Sequence, residues 1–379
     1  MPLIAIFVLL IWIYLTFFHA YFWRMNRLHL PGAESRSPAR VAVIIPARNE
    51  ADAIGRAVSA LLRQQFAGEL RLFVVDDNSS DGSANVARAA AGVLGGAQRL
   101  EVIAGAELPR GWLGKVWAMH QGWLAARGTS PDYILLTDAD IEHAPDSVAR
   151  LVAQAERQNL DLASIMVKLR SETIAEKFLI PAFVYFFFLL YPPAKISNPR
   201  SRVAGAAGGC ILLRPAMLEK LAGFESIRGE IIDDCALAAR VKRAGGRLWL
   251  GASQQTRSIR GYRTFSAIRD MIARTAFNQL QHSWLLLIGC ILGMLLTFGA
   301  PLVLVFSASR AAGWIALGAS VLMFATYLPV LRLYRVNVLA AVTLPFAAVF
   351  YIYATLASAF RYRQGRGGEW KGRTQDASP

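Results

Sequence analysis

The sequence predicts an α/β domain, a mainly parallel sheet with helices on both faces, set between segments apolar enough for a membrane. Between Val41 and about Gly251, short apolar runs alternate with helical stretches, the order that builds a parallel sheet. Residues Pro2 to Trp23 form an almost uncharged stretch, long enough to cross ~30 Å of hydrocarbon. A second apolar block runs from about Leu285 to Phe360, broken only by Arg310, Arg332 and Arg335. It has room for three crossings of ~20 residues each. The 55% hydrophobic content of the 379 residues is therefore unevenly placed.

The elements follow in order. Val41-Ala42-Val43-Ile44-Ile45 reads as a strand ended by Pro46, and a helix follows from about Ala51 to Gln65 with Ile54, Val58, Leu61 and Leu62 on one side. Leu72 to Val75 is a second strand, followed by a helix over about Ala84 to Ala91. Leu100 to Ile103 is a third strand and Tyr133 to Thr137 a fourth, with a helix over about Lys115 to Ala126 between them. Ile211-Leu212-Leu213 is strand-like, and Cys235 to Ala244 reads as a helix. The apolar stretch Phe178 to Pro193, broken by Pro181, reads as a membrane-surface contact rather than a crossing. The expected organisation is an anchor over 1–24, a basic linker over 25–40 and the α/β domain over 41–260. An interfacial region over 261–284, about three membrane helices over 285–360 and a basic tail over 361–379 complete it.

The anchor reads as retained rather than cleaved: it has no basic leading region, and Tyr21-Phe22-Trp23 stands where a cleavage site needs small residues. Arg24, Arg27, Arg36 and Arg40 come directly after it and place the α/β domain in the cytoplasm by the positive-inside rule. Three later crossings then put the tail outside, while Arg361, Arg363, Arg366, Lys371 and Arg373 favour the inside; the sequence leaves this conflict open. Cys210, Cys235 and Cys290 lack metal-site spacing and fit a reducing compartment. His120, His143 and His282 likewise read as packing or surface groups. The net charge of +15 suits anionic headgroups and a diphosphate. No helix-turn-helix, finger or RNP signature is present, which argues against nucleic acid.

Chemistry concentrates at the strand ends. Ala47-Arg48-Asn49-Glu50 closes the first strand, Asp76-Asp77 the second and Asp138-Ala139-Asp140 the fourth. In a parallel sheet these ends share one edge, where ligands bind. Two carboxylates one residue apart suit a hard cation such as Mg²⁺ shared with substrate phosphates. Lys115, opening a helix after Gly114, offers a cation and a helix N-terminus to an anion.

Val43 to Glu50, Val75 to Gly82 and Thr137 to Asp140, in this order and spacing, resemble the family-2 glycosyltransferases of the GT-A fold, over roughly residues 41–260. Gly111 to Met119 and Ile231 to Ala238 look more narrowly like the bacterial hopanoid-biosynthesis-associated members. The resemblance implies that Ala47, Glu50 and Asp77 contact the nucleoside of a nucleotide-sugar donor and that Lys115 lies in the donor site. It implies Asp138 and Asp140 at ribose and a divalent metal (Mg or Mn), with Asp140 the principal ligand. Asp233-Asp234, at a helix start, reads on residues alone as either a cap or a catalytic pair. The resemblance makes Asp234 the base that deprotonates the acceptor hydroxyl, with Asp233 in support, in an inverting reaction at a bacterial inner membrane.

The acceptor side is less defined. Gly208 and Gly209 permit close approach, either by a ligand or by packing. Arg257, Arg260, Arg263, Arg269 and Arg274 either clamp a diphosphate or seat an interfacial helix. Processive polysaccharide synthases carry Gln-x-x-Arg-Trp here; this chain has Gln279 and Trp284 in a run that lacks the Arg-Trp pair. The expected function is sugar transfer to a lipid, hopanoid or another isoprenoid, with polysaccharide synthesis the alternative. Oligomeric state is not legible.

Overall fold

The computed structural model describes residues 1–25 and 37–367, so Arg27, Arg36, Lys371 and Arg373 lie outside the described residues. The chain forms two compact units, one α/β and one helical.

The α/β unit takes in residues 37–170 and 195–260. Its strands are β1 (Arg40–Ala47), β2 (Glu69–Asp76), β3 (Leu100–Ala104), β4 (Tyr133–Thr137), β5 (Ile141–Glu142), β6 (Leu162–Lys168), β7 (Cys210–Leu213) and β8 (Leu248–Ser258). They form one sheet in the order β3-β2-β1-β4-β7-β6-β8-β5. The neighbours from β3 to β4 are parallel, as expected, and so are β6 and β8. β7 runs antiparallel to both β4 and β6, and β5 antiparallel to β8, so the far half of the sheet is mixed.

Burial on both faces explains the continuous apolar runs. Val41, Val43 and Ile45 point into a core with Ile54, Val58 and Leu61 of α2 (Ala51–Leu62), Ala87 and Ala91 of α3 (Ser83–Val93), and Val148, Leu151 and Val152 further along. The alternate residue Ile44 faces the other way, toward α4 (Gly114–Ala126). There Gly122 is required: a Cβ would stand 2.5 Å from Ile44 Cγ2. A further helix, α5 (Ser147–Gln158), completes the layer over the Val43 face.

The helical unit takes in residues 1–25, 171–194 and 261–367. Residues 171–194 thus leave the continuous 41–260 domain that the sequence suggested. They form α6 (Ile174–Leu190), and Ile174–Ser197 has a mean hydropathy of 1.7, long and apolar enough to cross a membrane. Three more segments qualify by length and composition: Trp284–Val305, Arg310–Leu333 and Val338–Arg363. The N-terminal helix α1 (Pro2–Ile13) continues as a π turn only to Phe18, shorter than the expected anchor over 1–24. His19 leaves helical geometry, and Ala20 and Tyr21 come next at φ 55° and 48°, so Tyr21 to Trp23 fold back; Trp23 Nε1 donates to Thr16 O.

α6 lies among the other helices. Tyr185 packs on Phe22 and Tyr327 and hydrogen-bonds Thr326, and Tyr351 Oη donates to Leu179 O. Its start is a capping box in which Thr173 accepts from Glu176 N and the Glu176 carboxylate accepts from Thr173 N. Glu176 is fully buried and also accepts from Glu172 N at 2.9 Å and Tyr262 N at 2.8 Å, joining the start of this excursion to the next one. Glu176→Ala leaves these partly buried amides without their acceptor, at about 1 kcal/mol for each lost bond. Thermal unfolding of the detergent-solubilised variant should show a lower midpoint, while Gln in place of Glu restores part of the loss.

Candidate active site

Parallel pairing sets the first two motifs side by side: Ala47 is the register partner of Asp76. Asp77 N donates to Ala47 O at 2.8 Å, and Arg48 Nη1 donates to Asp77 O at 2.6 Å while standing 3.6 Å from Oδ2. Both turns need the left-handed region, supplied by Asn49 at φ 51° and Asn78 at φ 52°, a conformation asparagine tolerates. Asn49 Oδ1 accepts from Ser80 N, and Ser79 Oγ accepts from Asn49 N, so the loops brace each other. Ala47 and Asp77 are buried, and Glu50 begins α2 with its side chain turned to the Arg260 guanidinium.

β4 pairs with β1 on its other side and delivers Asp138 and Asp140 to the same edge. Asp138 Oδ1 lies 2.9 Å from Lys115 Nζ, and the same ammonium is 3.4 Å from Asp233 Oδ2. Asp140 Oδ2 accepts from Arg260 Nε at 2.9 Å and from Ser258 Oγ at 3.1 Å; Arg260 Nη2 reaches Glu50 Oε1 at 2.5 Å. Two cations therefore string four acids into two chains, Asp138–Lys115–Asp233 and Glu50–Arg260–Asp140. Burial by itself would lower the Lys115 pKa, but the charges of Asp138 and Asp233 outweigh it and hold the ammonium protonated well above its ordinary range.

Asp234 sits next to Asp233 in the first turn of the Asp233–Arg243 helix. Its Oδ1 accepts from Cys235 N at 2.7 Å, and a Cβ on Gly208 would stand 3.0 Å from its Oδ2. Gly208 therefore lets the loop close on this carboxylate, whereas Gly209 packs against Val167 and Ile141. Burial, and then the Asp233 charge, push the Asp234 pKa up to about 6, against the opposing pull of Lys115 and the Cys235 and Gly208 amides. A carboxylate so placed is ionised at neutral pH yet basic enough to accept a proton.

A divalent cation fits this donor set in one way. Among the described residues no three His, Cys, Asp or Glu groups gather to hold an ion by themselves. Mg²⁺-type ions are ordinarily held by one or two carboxylates together with substrate phosphates, and Asp138 and Asp140 offer that number. Asp138 is the more accessible, at 35% side-chain exposure against 9% for Asp140. Asp140, expected as the principal metal ligand, is held by Arg260 and Ser258 in this structure.

The remaining expected residues are placed elsewhere. Gln279 and Trp284 belong to the helical unit, where Gln279 Oε1 accepts from Tyr191 Oη and Trp284 packs on Phe277. His143 is buried between Thr137 and Ser147, and burial lowers its pKa to about 4, a structural group as expected. His120 packs with Trp112 and Trp117, and His282 stacks on Tyr362. Sequence reasoning left two residues at this edge without a definite role, Ser258 and Arg260. Arg260 was visible only as one arginine of a run, and nothing in its spacing set it apart.

Residues 42–222, a little under half of the chain, match the family described as Glycosyl transferase family 2. An undecaprenyl-phosphate 4-deoxy-4-formamido-L-arabinose transferase of Aeromonas hydrophila is 30% identical over 135 residues, 35% of this chain and 38% of that protein. Its counterpart from Proteus mirabilis is 34% identical over 119 residues, 31% of this chain and 34% of its own length. The chain thus spans little more than a third of the length of these curated relatives. Neither name refers to a hopanoid, so the resemblance stands at the level of the family. Among solved structures, a mannosyltransferase from Pyrobaculum calidifontis in complex with GDP-Man and Mn²⁺ has a TM-score of 0.57 at 19% identity. It covers 93% of this chain and 99% of its own, a likeness of fold.

Proposed function

We propose that this chain is a membrane-bound inverting glycosyltransferase that moves a sugar from a nucleoside diphosphate donor to a lipid acceptor at the cytoplasmic face. The observation that carries the reading is the Lys115 ammonium standing between Asp138 and Asp233. It joins the strand-end carboxylates suited to a donor diphosphate to the helix-start pair suited to activating an acceptor. In this reading Ala47, Glu50 and Asp77 line the nucleoside pocket. Asp138, with Asp140, would hold a divalent cation against the diphosphate, where the ion supplies Lewis acidity to the departing group. Lys115 adds a fixed positive charge beside the same departing oxygens. Asp234 takes the acceptor proton as its oxygen attacks from the side opposite the leaving group, and Asp233 keeps Lys115 in place.

Lipid is the favoured acceptor class because the described residues include four helices long and apolar enough for a membrane. Two lipid chemistries fit. A hydroxyl, as on a hopanoid or another isoprenoid alcohol, needs a base. A polyprenyl phosphate, suggested by the names of the curated relatives, is largely an oxyanion at neutral pH and needs none. Asp234 with its raised pKa favours the hydroxyl. Polymer synthesis is less favoured, since Gln279 and Trp284 stand without the Arg-Trp pair.

Incubating the purified protein with a panel of nucleotide sugars and membrane lipids should yield a glycosylated lipid by mass spectrometry; a water-soluble polymer would refute the reading. Asp234→Asn should lower turnover on a hydroxyl acceptor ~100-fold or more while donor binding is retained. Near-normal turnover of that variant on a polyprenyl phosphate would instead identify the phosphate acceptor. The base must be ionised to work, so kcat on a hydroxyl acceptor should rise with pH through about 6 and level off above it. A kcat that is flat from pH 5 to 8 would remove Asp234 from this role.

A further inference from the structure

We propose that Arg260 is a built-in counter-ion that keeps a divalent metal off Asp140 until a nucleoside diphosphate draws it away, so that ion and nucleotide bind together. The inference rests on the proposed donor site. Its basis is the position of one guanidinium: Nε is 2.9 Å from Asp140 Oδ2 and Nη2 is 2.5 Å from Glu50 Oε1. The Asp140 and Glu50 side chains are 9% and 12% exposed and that of Arg260 32%, so solvent screens the cluster weakly. A second cation placed on Asp140 would meet the first at close range, which like charges in a poorly screened site resist.

The arrangement is held in place from β8. Ile259 N donates to Asp140 O at 2.9 Å, and the Ser258 hydroxyl shares Asp140 Oδ2 with Arg260. Asp140 therefore keeps two anchors if the guanidinium leaves, so the carboxylate stays where it is and only its charge partner changes. A diphosphate is the ligand able to cause that exchange. It offers several anionic oxygens in the spacing that the planar guanidinium fork engages, so it competes with two single carboxylates. Once Arg260 turns to the diphosphate, Asp140 joins Asp138 as a ligand to the ion. A simple structural strap between β8 and α2 would leave ion binding unaffected by the loss of Arg260.

The test uses the full chain in detergent and measures free Mn²⁺ by electron paramagnetic resonance, with no turnover involved. Wild type should bind Mn²⁺ weakly alone and about 10-fold or more tighter with UDP or GDP present. Arg260→Gln should bind Mn²⁺ alone about 10-fold tighter than wild type, with the nucleotide effect much reduced. Arg260→Lys, which keeps the charge but not the fork, should exclude Mn²⁺ as wild type does. Equal Mn²⁺ affinity of wild type and Arg260→Gln without nucleotide, in protein of unchanged thermal midpoint, would overturn the inference. If wild type binds neither nucleotide, the donor-site reading fails, while the nucleotide-free comparison of the two proteins still decides whether Arg260 excludes the ion.

Discussion

The Lys115 ammonium stands between Asp138 and Asp233, carboxylates that reach it from the end of β4 and the start of a helix far later in the chain. Without cations between them, Glu50, Asp138, Asp140 and Asp233 gathered near one sheet edge would repel one another. The fold answers with two buried or half-buried basic groups, Lys115 and Arg260, each shared by two acids. That sharing sets the rest of the chemistry. It keeps Lys115 charged, while burial and the neighbouring Asp233 charge raise the affinity of Asp234 for a proton.

Much of this edge was legible in the sequence because parallel strands announce themselves. β1, β2 and β4 are apolar runs that stop at polar motifs, and parallel pairing makes those motifs neighbours without further information. β7 was harder: Cys210–Leu213 is only four residues, and neither period nor composition records that it runs against β4 and β6. Arg260 was hidden for a related reason. Its partners come from two separate strand ends, and a run of arginines carries no mark of which one turns inward. The Thr173-x-x-Glu176 capping box was readable in principle, since it precedes an apolar run. Its second role, binding Tyr262 N, depends on how distant parts of the chain meet.

The likeness to a solved mannosyltransferase extends over almost the whole chain at low identity, whereas similarity to the curated relatives is confined to about a third of it. Fold is shared more widely than chemistry, so the functional reading rests on the acids, their cations and their spacing. These features specify a reaction class with more force than they specify the sugar or the acceptor.

β6 and β7 are hydrogen-bonded neighbours in one sheet, and α6 lies in the stretch of chain between them. However apolar that helix is, the chain must come back to the sheet it departed from. Its excursion therefore adds an even number of passages through any bilayer, zero or two, and cannot reverse the sidedness of the chain beyond β7. The compartment of the C-terminus is then decided by the segments after Arg260 alone, where an odd or even tally of full passages has a direct reading in the accessibility of Arg361, Arg363 and Arg366.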